Sequence, residues 1–93
     1  MRVEVVYGAQ RDRLSGLCLN VSLDGMLVET DNALGVGTRV ELEFKLPGQE
    51  ESLRTAAEVI RHTRIAGKGR HAIAFRFRDP GPSIREKIRT ILD

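Results

Sequence analysis

Residues 38–46 alternate without a slip. Val40, Leu42, Phe44 and Leu46 are apolar, and Arg39, Glu41, Glu43 and Lys45 between them are charged. A period of two marks a strand with one buried and one wet face, so the four apolar side chains face in. Residues 2–7 are rich in valine and hold no breaker. β-Branched side chains fit a pleated surface, and a first strand is expected there, with residues 8–13 as its hairpin loop. In residues 15–21, Leu17, Leu19 and Val21 share a face, so Cys18 points the other way or the strand is covered on both faces. Residues 26–30 form a third strand after a short polar link. Residues 31–37 are a longer turn-rich connection, and Pro47-Gly48-Gln49-Glu50 is a turn.

Residues 53–65 admit two readings. Ala56, Ala57 and Glu58 are good helix formers. Against that, Val59, Ile60, Thr63 and Ile65 are β-branched, Ala57, Val59 and in the same parity Arg61 alternate with Glu58 and Ile60, and a hairpin signal follows, Ala66-Gly67-Lys68-Gly69-Arg70. The strand reading is the stronger. A last strand covers 72–77, with Ile73, Phe75 and Phe77 on one face and Ala72, Ala74 and Arg76 on the other. Asp79-Pro80-Gly81-Pro82 stops it. At 83–92 the period changes: Ile84, Ile88, Ile91 and Leu92 recur at helical spacing, Arg85, Lys87 and Arg89 take the wet side, and Ser83 with Glu86 has the form of a capping box. So short a helix is marginal alone. Its isoleucine stripe therefore docks on the sheet, as a lid, or on a second subunit to make a homodimer; the lid is the stronger reading. Six short strands joined by tight turns and followed by one helix predict a mostly β fold, a small six-stranded antiparallel barrel with a C-terminal α-helix.

Composition narrows the function. Ninety-three residues make one domain, 1–93, with a small core. The single cysteine, Cys18, excludes an internal disulfide framework and fits a reducing compartment. The N-terminus has no signal-peptide pattern, and no apolar run approaches the ~18 residues of a membrane span, so a cytoplasmic location is expected. A formal net charge of +2 is mildly basic and does not demand a nucleic-acid partner. With 4% aromatic residues and no tryptophan, stacking platforms for single strands are scarce. Arg61, His62, Arg64, Lys68, Arg70 and His71 form a basic cluster, read as a solvated hairpin or else as an anion-binding face. His62 and His71 can meet across that hairpin, but a metal site needs further ligands and none is expected. No Ser/His/Asp or Cys/His constellation and no phosphate-binding P-loop occurs; neither catalysis nor a cofactor is expected.

The polar link Asn20-Val21-Ser22-Leu23-Asp24-Gly25 carries the remaining chemistry. Asn20 tolerates unusual dihedrals, the Ser22 hydroxyl is donor and acceptor, and Gly25 permits positive φ or a close approach to the backbone. The sequence Asn20-Val21-Ser22 is also a glycosylation sequon, set aside without a signal peptide. The link has the form Asp/Asn-x-Ser-x-x-Gly and resembles the signature of PilZ domains. Strand order, final helix and, loosely, Ala72-Ile73-Ala74-Phe75 fall in that family's pattern, so the resemblance spans essentially the whole chain.

The resemblance implies a bacterial regulatory barrel that binds cyclic di-GMP and relays it to a partner protein or fused domain. It implies Asn20 as acceptor for a guanine edge, Ser22 as a second polar contact and Gly25 as the close-approach position. Asparagine in place of aspartate keeps the acceptor but loses the charge that would strengthen the bond. The family's second signature, Arg-x-x-x-Arg before the first strand, is missing: Arg2 is followed by Val6, Arg11 by Ser15 and Arg13 by Leu17. Arg2 stands as the candidate surviving arginine. The chain is then either an excerpt of a longer protein or a divergent interaction module that does not bind the nucleotide. On either view these residues alone are expected to bind cyclic di-GMP weakly or not at all.

Overall fold

A computed structural model describes residues 1–67 and 69–92; Lys68 of the basic cluster and the terminal Asp93 lie outside the described residues. Six strands, β1 (Arg2–Tyr7), β2 (Asp12–Val21), β3 (Gly25–Thr30), β4 (Arg39–Phe44), β5 (Leu53–Ile65) and β6 (Arg70–Arg78), precede one helix, α1 (Gly81–Leu92). The strands close a barrel in the order β1-β2-β3-β6-β5-β4. Closure comes from β1, which pairs antiparallel with β2 on one side and with β4 on the other. The 53–65 segment is strand throughout: its β-branched residues and its pairing with both β4 and β6 outweigh the helical preference of Ala56–Ala57–Glu58.

Alternation delivers the core. Val3 and Val5 from β1, Met26 and Val28 from β3, Val40, Leu42 and Phe44 from β4, Ala57 and Val59 from β5, and Ile73, Phe75 and Phe77 from β6 are all buried. Leu46, just past the end of β4, is buried with them. The rings of Phe44 and Phe77 stack with centroids 6.5 Å apart. One end of the barrel is closed by α1. Ile88 is fully buried there, with Ile84 and Ile91 packed partly against the core beside Val21 and Leu23. The Lys87 ammonium reaches Glu51 at 2.5 Å. At the other end Leu34, from the β3–β4 connection, is buried.

Three details differ from the sequence reading. On β5 a bulge between Val59 and Arg61 sets Arg61 opposite Ala74 and leaves it exposed, off the face of Ala57 and Val59 with which simple alternation groups it. On β2 the inward face is Leu14, Gly16 and Cys18; Leu17 and Leu19 point outward and stay exposed. A bulge between Cys18 and Asn20 shifts the register, so Val21 joins the core while the two leucines before it do not. A period count cannot see an inserted residue, which moves every later side chain to the opposite face. The helix begins at Gly81, ahead of Ser83, with Pro82 in its first turn, where the missing N–H is no loss. Ser83 lies inside that turn and makes no capping hydrogen bond among the described residues.

Candidate functional site

The link between β2 and β3 is a tight turn held by its own serine. Ser22 N donates to Gly25 O at 2.9 Å. The Ser22 hydroxyl oxygen accepts from the backbone N–H of Asp24 and of Gly25, each at 3.2 Å. The hydroxyl expected to meet a ligand is thus engaged by the backbone it shapes. The turn is tied to its neighbours twice more: Phe77 N donates to Asp24 O at 2.8 Å, and Arg85 of α1 donates to Leu23 O at 3.5 Å. The Asp24 carboxylate lies 3.9 Å from the same guanidinium.

Gly25 is required here, though not for a positive φ, since its backbone lies outside the left-handed region. A Cβ at this position would collide with the carbonyl oxygen of Phe75 on β6. The close approach inferred from the glycine is real, but the approaching group is the neighbouring strand. Asn20, by contrast, is exposed, and its side-chain amide makes no hydrogen bond among the described residues. Its acceptor and donors are available.

Around this turn lies an open cleft of about 510 Å³ on the outer wall of the barrel. Asn20 and Ser22 line one rim. Leu27, Ala74 and Ile60, from three adjacent strands, form an apolar floor. Arg61 of β5, Arg76 of β6 and Arg85 of α1 also line it, as does the exposed Asp24 beside Arg85. Pairing explains the convergence: Arg76 sits opposite Gly25 across the β3–β6 ladder, and Arg61 sits opposite Ala74 across the β5–β6 ladder. Both guanidiniums are exposed and neither has an ion-pair partner among the described residues. The cleft therefore offers a flat apolar surface, a neutral amide and two uncompensated positive charges. That is suited to a planar polar ring carrying an anionic group, because guanidinium forks match phosphate oxygens and stack on planar rings.

Arg2 is not part of this constellation. It lies in a separate shallow groove with Glu4, Glu43, Lys45 and Ser52, on the outer face of β1 and opposite Leu17. Sequence reasoning placed Arg76 on the outer face and Arg85 on the wet side of the helix, without connecting either to the polar turn. The only sequence hint was the outward parity of Arg76 in the last strand, and register was needed to set it beside Gly25.

His62 and His71 do meet, with Nε2 and Nδ1 2.8 Å apart. No group of three metal-binding side chains occurs among the described residues. Burial pushes the Cys18 thiol above its ordinary value, so it stays protonated at neutral pH. No helix among the described residues is long and apolar enough to cross a membrane.

The family model of the PilZ domain matches residues 1–93. Among solved structures, the chain is similar to the PilZ domain with c-di-GMP of YcgR from Escherichia coli, with a TM-score of 0.75 and 22% identity over 97% of this chain and 77% of that one. It is also similar to the PilZ domain of CeSA from a cellulose-synthesizing bacterium, with a TM-score of 0.66 and 24% identity over 98% of this chain and 87% of that one. No curated protein sequence matches the chain. At these identities the two structures speak to the fold, and they agree with the lidded six-stranded barrel described above. With the family model spanning the chain from end to end, the protein belongs to the PilZ domain family.

Proposed function

We propose that this domain is a cytoplasmic regulatory receptor for cyclic di-GMP, that it is not an enzyme, and that it relays the nucleotide's arrival to a partner protein or neighbouring domain. The observation that carries the reading is the meeting, in one cleft floored by Leu27, Ala74 and Ile60, of Asn20 with Arg61 and Arg76, whose side chains have no partner among the described residues. A cyclic dinucleotide of guanosine presents two planar bases and two phosphodiester charges. In this reading Asn20 accepts from a guanine edge, a base lies on the apolar floor, and Arg61 and Arg76 face phosphate. Ser22 and Gly25 act through the turn: they hold Asn20 where it is and keep β3 against β6. The solved YcgR domain, whose structure contains c-di-GMP, has the same fold and supports the ligand class.

Arg2 faces another groove, so a second clamp of arginines is not supplied by the first strand. The 93 residues alone bind weakly. Calorimetry with cyclic di-GMP is expected to give a micromolar or weaker dissociation constant that worsens as salt is added, since exposed charges are screened. Arg76→Ala should weaken binding roughly tenfold or more, the scale of a lost hydrogen bond to a charged group, and Asn20→Ala should act in the same direction. Titrations of both variants that match the wild type would remove the cleft from consideration. Submicromolar affinity for the wild type would show that no further arginines are needed.

A further inference from the structure

Along half of β5 the barrel's ladder is incomplete. β5 runs for 13 residues, whereas β4 has only 6 and pairs with β5 from Leu53 to Glu58. The β3–β4 connection adds one further step: Val59 N donates to Thr38 O at 2.9 Å and Gly37 N donates to Val59 O at 2.8 Å. Past Val59 no backbone partner lies on that side among the described residues. On the other side β5 continues to pair with β6 as far as Ile65 opposite Arg70.

Alternation identifies the groups this edge presents. The N–H and C=O of Val59 point away from β6, toward Gly37 and Thr38. A register shift then sets Arg61 opposite Ala74, turning the backbone groups at the bulge toward β6. In an antiparallel ladder successive residues alternate between bonding to the partner and bonding outward. Thr63 and Ile65 therefore bond toward β6, and His62 and Arg64 aim their N–H and C=O at solvent.

The side chains along the edge have one sign. Arg61 and Arg64 are exposed and have no ion-pair partner among the described residues. The nearby carboxylates, Glu29 of β3 and Asp31 just past its end, are held by Arg70, across β6 from the edge. Val36, next to Gly37, is 69% exposed and offers an apolar footing beside the edge. A bare edge is a template for another strand. A second copy of this chain would bring the same basic edge alongside Arg64 and offer it no carboxylate, whereas an acidic strand would meet it with complementary charge.

We propose that the free edge of β5, from His62 to Arg64, receives an extended acidic segment of a partner polypeptide by strand addition. Main-chain bonds at His62 and Arg64 supply the attachment, and Arg64, which lies outside the cleft, selects for carboxylates. This surface does not depend on whether the cleft takes a nucleotide.

The test uses the 93-residue domain, isotopically labelled, with a short acetylated peptide of alternating glutamate and valine as the probe. In the free domain the amides of His62 and Arg64 should exchange quickly with solvent while those of Thr63 and Ile65 are protected. The peptide should slow exchange at His62 and Arg64. His62→Pro removes an edge donor without breaking a bond to β6 and should abolish binding. Arg64→Glu, which leaves the backbone alone, should weaken binding about tenfold and shift preference to a lysine–valine peptide. Thermal unfolding checks that each variant is folded. The proposal fails if the peptide leaves those two amides unprotected, or if folded Arg64→Glu binds the glutamate peptide as the wild type does. It fails equally if the edge becomes protected with rising protein concentration and no peptide, since a second copy would then be the occupant.

Discussion

At the scale of single residues, the six-residue link divides its labour. Ser22 accepts two backbone N–H groups and Gly25 admits the Phe75 carbonyl, so both act on the shape of the turn. Asn20 alone presents an uncommitted side chain. Gly25→Ala must push β3 away from β6, and overpacking against a fixed backbone costs about 1–3 kcal/mol or more. Ser22→Ala leaves two turn amides to find water, at about 1 kcal/mol. Urea denaturation should therefore rank Gly25→Ala as the more damaging. If Ser22→Ala left stability untouched but removed cyclic di-GMP binding, the hydroxyl would belong to the ligand and not to the turn. Asn20 and Ser22 could be singled out from spacing; which of them has a free side chain is decided by hydrogen bonds that form only once the turn has closed.

At the scale of elements, α1 is the lid. Its stripe at Ile84, Ile88 and Ile91 packs on the barrel of its own chain, and Ile88 has no exposed surface. The face that the sequence offered to a second subunit is occupied within the molecule. Ile88→Asp buries a charge without a partner, and domains of this size rarely carry the reserve to survive that. Circular dichroism and light scattering should find it unfolded. A folded monomeric mutant from a dimeric wild type would instead assign the stripe to subunit pairing. Helical periodicity was enough to find this element and its buried face. Its first residue was misplaced because Ser83 and Glu86 imitate a cap, while the chain turns into the helix two residues earlier at Gly81 and Pro82.

At the scale of the whole molecule, the defining act is the closure of β1 on β4. It joins residues such as Val3 and Phe44 that are far apart in sequence. Ladders of this kind require loop closure before their bonds form, and β-rich domains of such topology fold in roughly milliseconds to seconds. Stopped-flow refolding by tyrosine or far-ultraviolet signals should fall in that range, and a microsecond phase accounting for the full amplitude would contradict a closure-limited barrel. The same closure leaves β5 longer than its neighbour β4, so the molecule gains an unpaired edge that neither strand shows by itself.

The amino-acid pattern alone determined the number of strands, the alternating faces of β4 and β6, the helix and the polar link, because alternation and turn residues are local properties. It misjudged the face of Leu17 and Leu19, since a single bulged residue is invisible to a period of two. It grouped Arg2 with the polar link and did not connect Arg76 or Arg85 to it. Only the tertiary structure shows which side chains lie beside the link: pairing register sets Arg76 against Gly25, and the docking of α1 carries Arg85 to the turn. Positions on one wall of a closed barrel are neighbours through hydrogen-bonded ladders, and no measure of distance along the chain contains them.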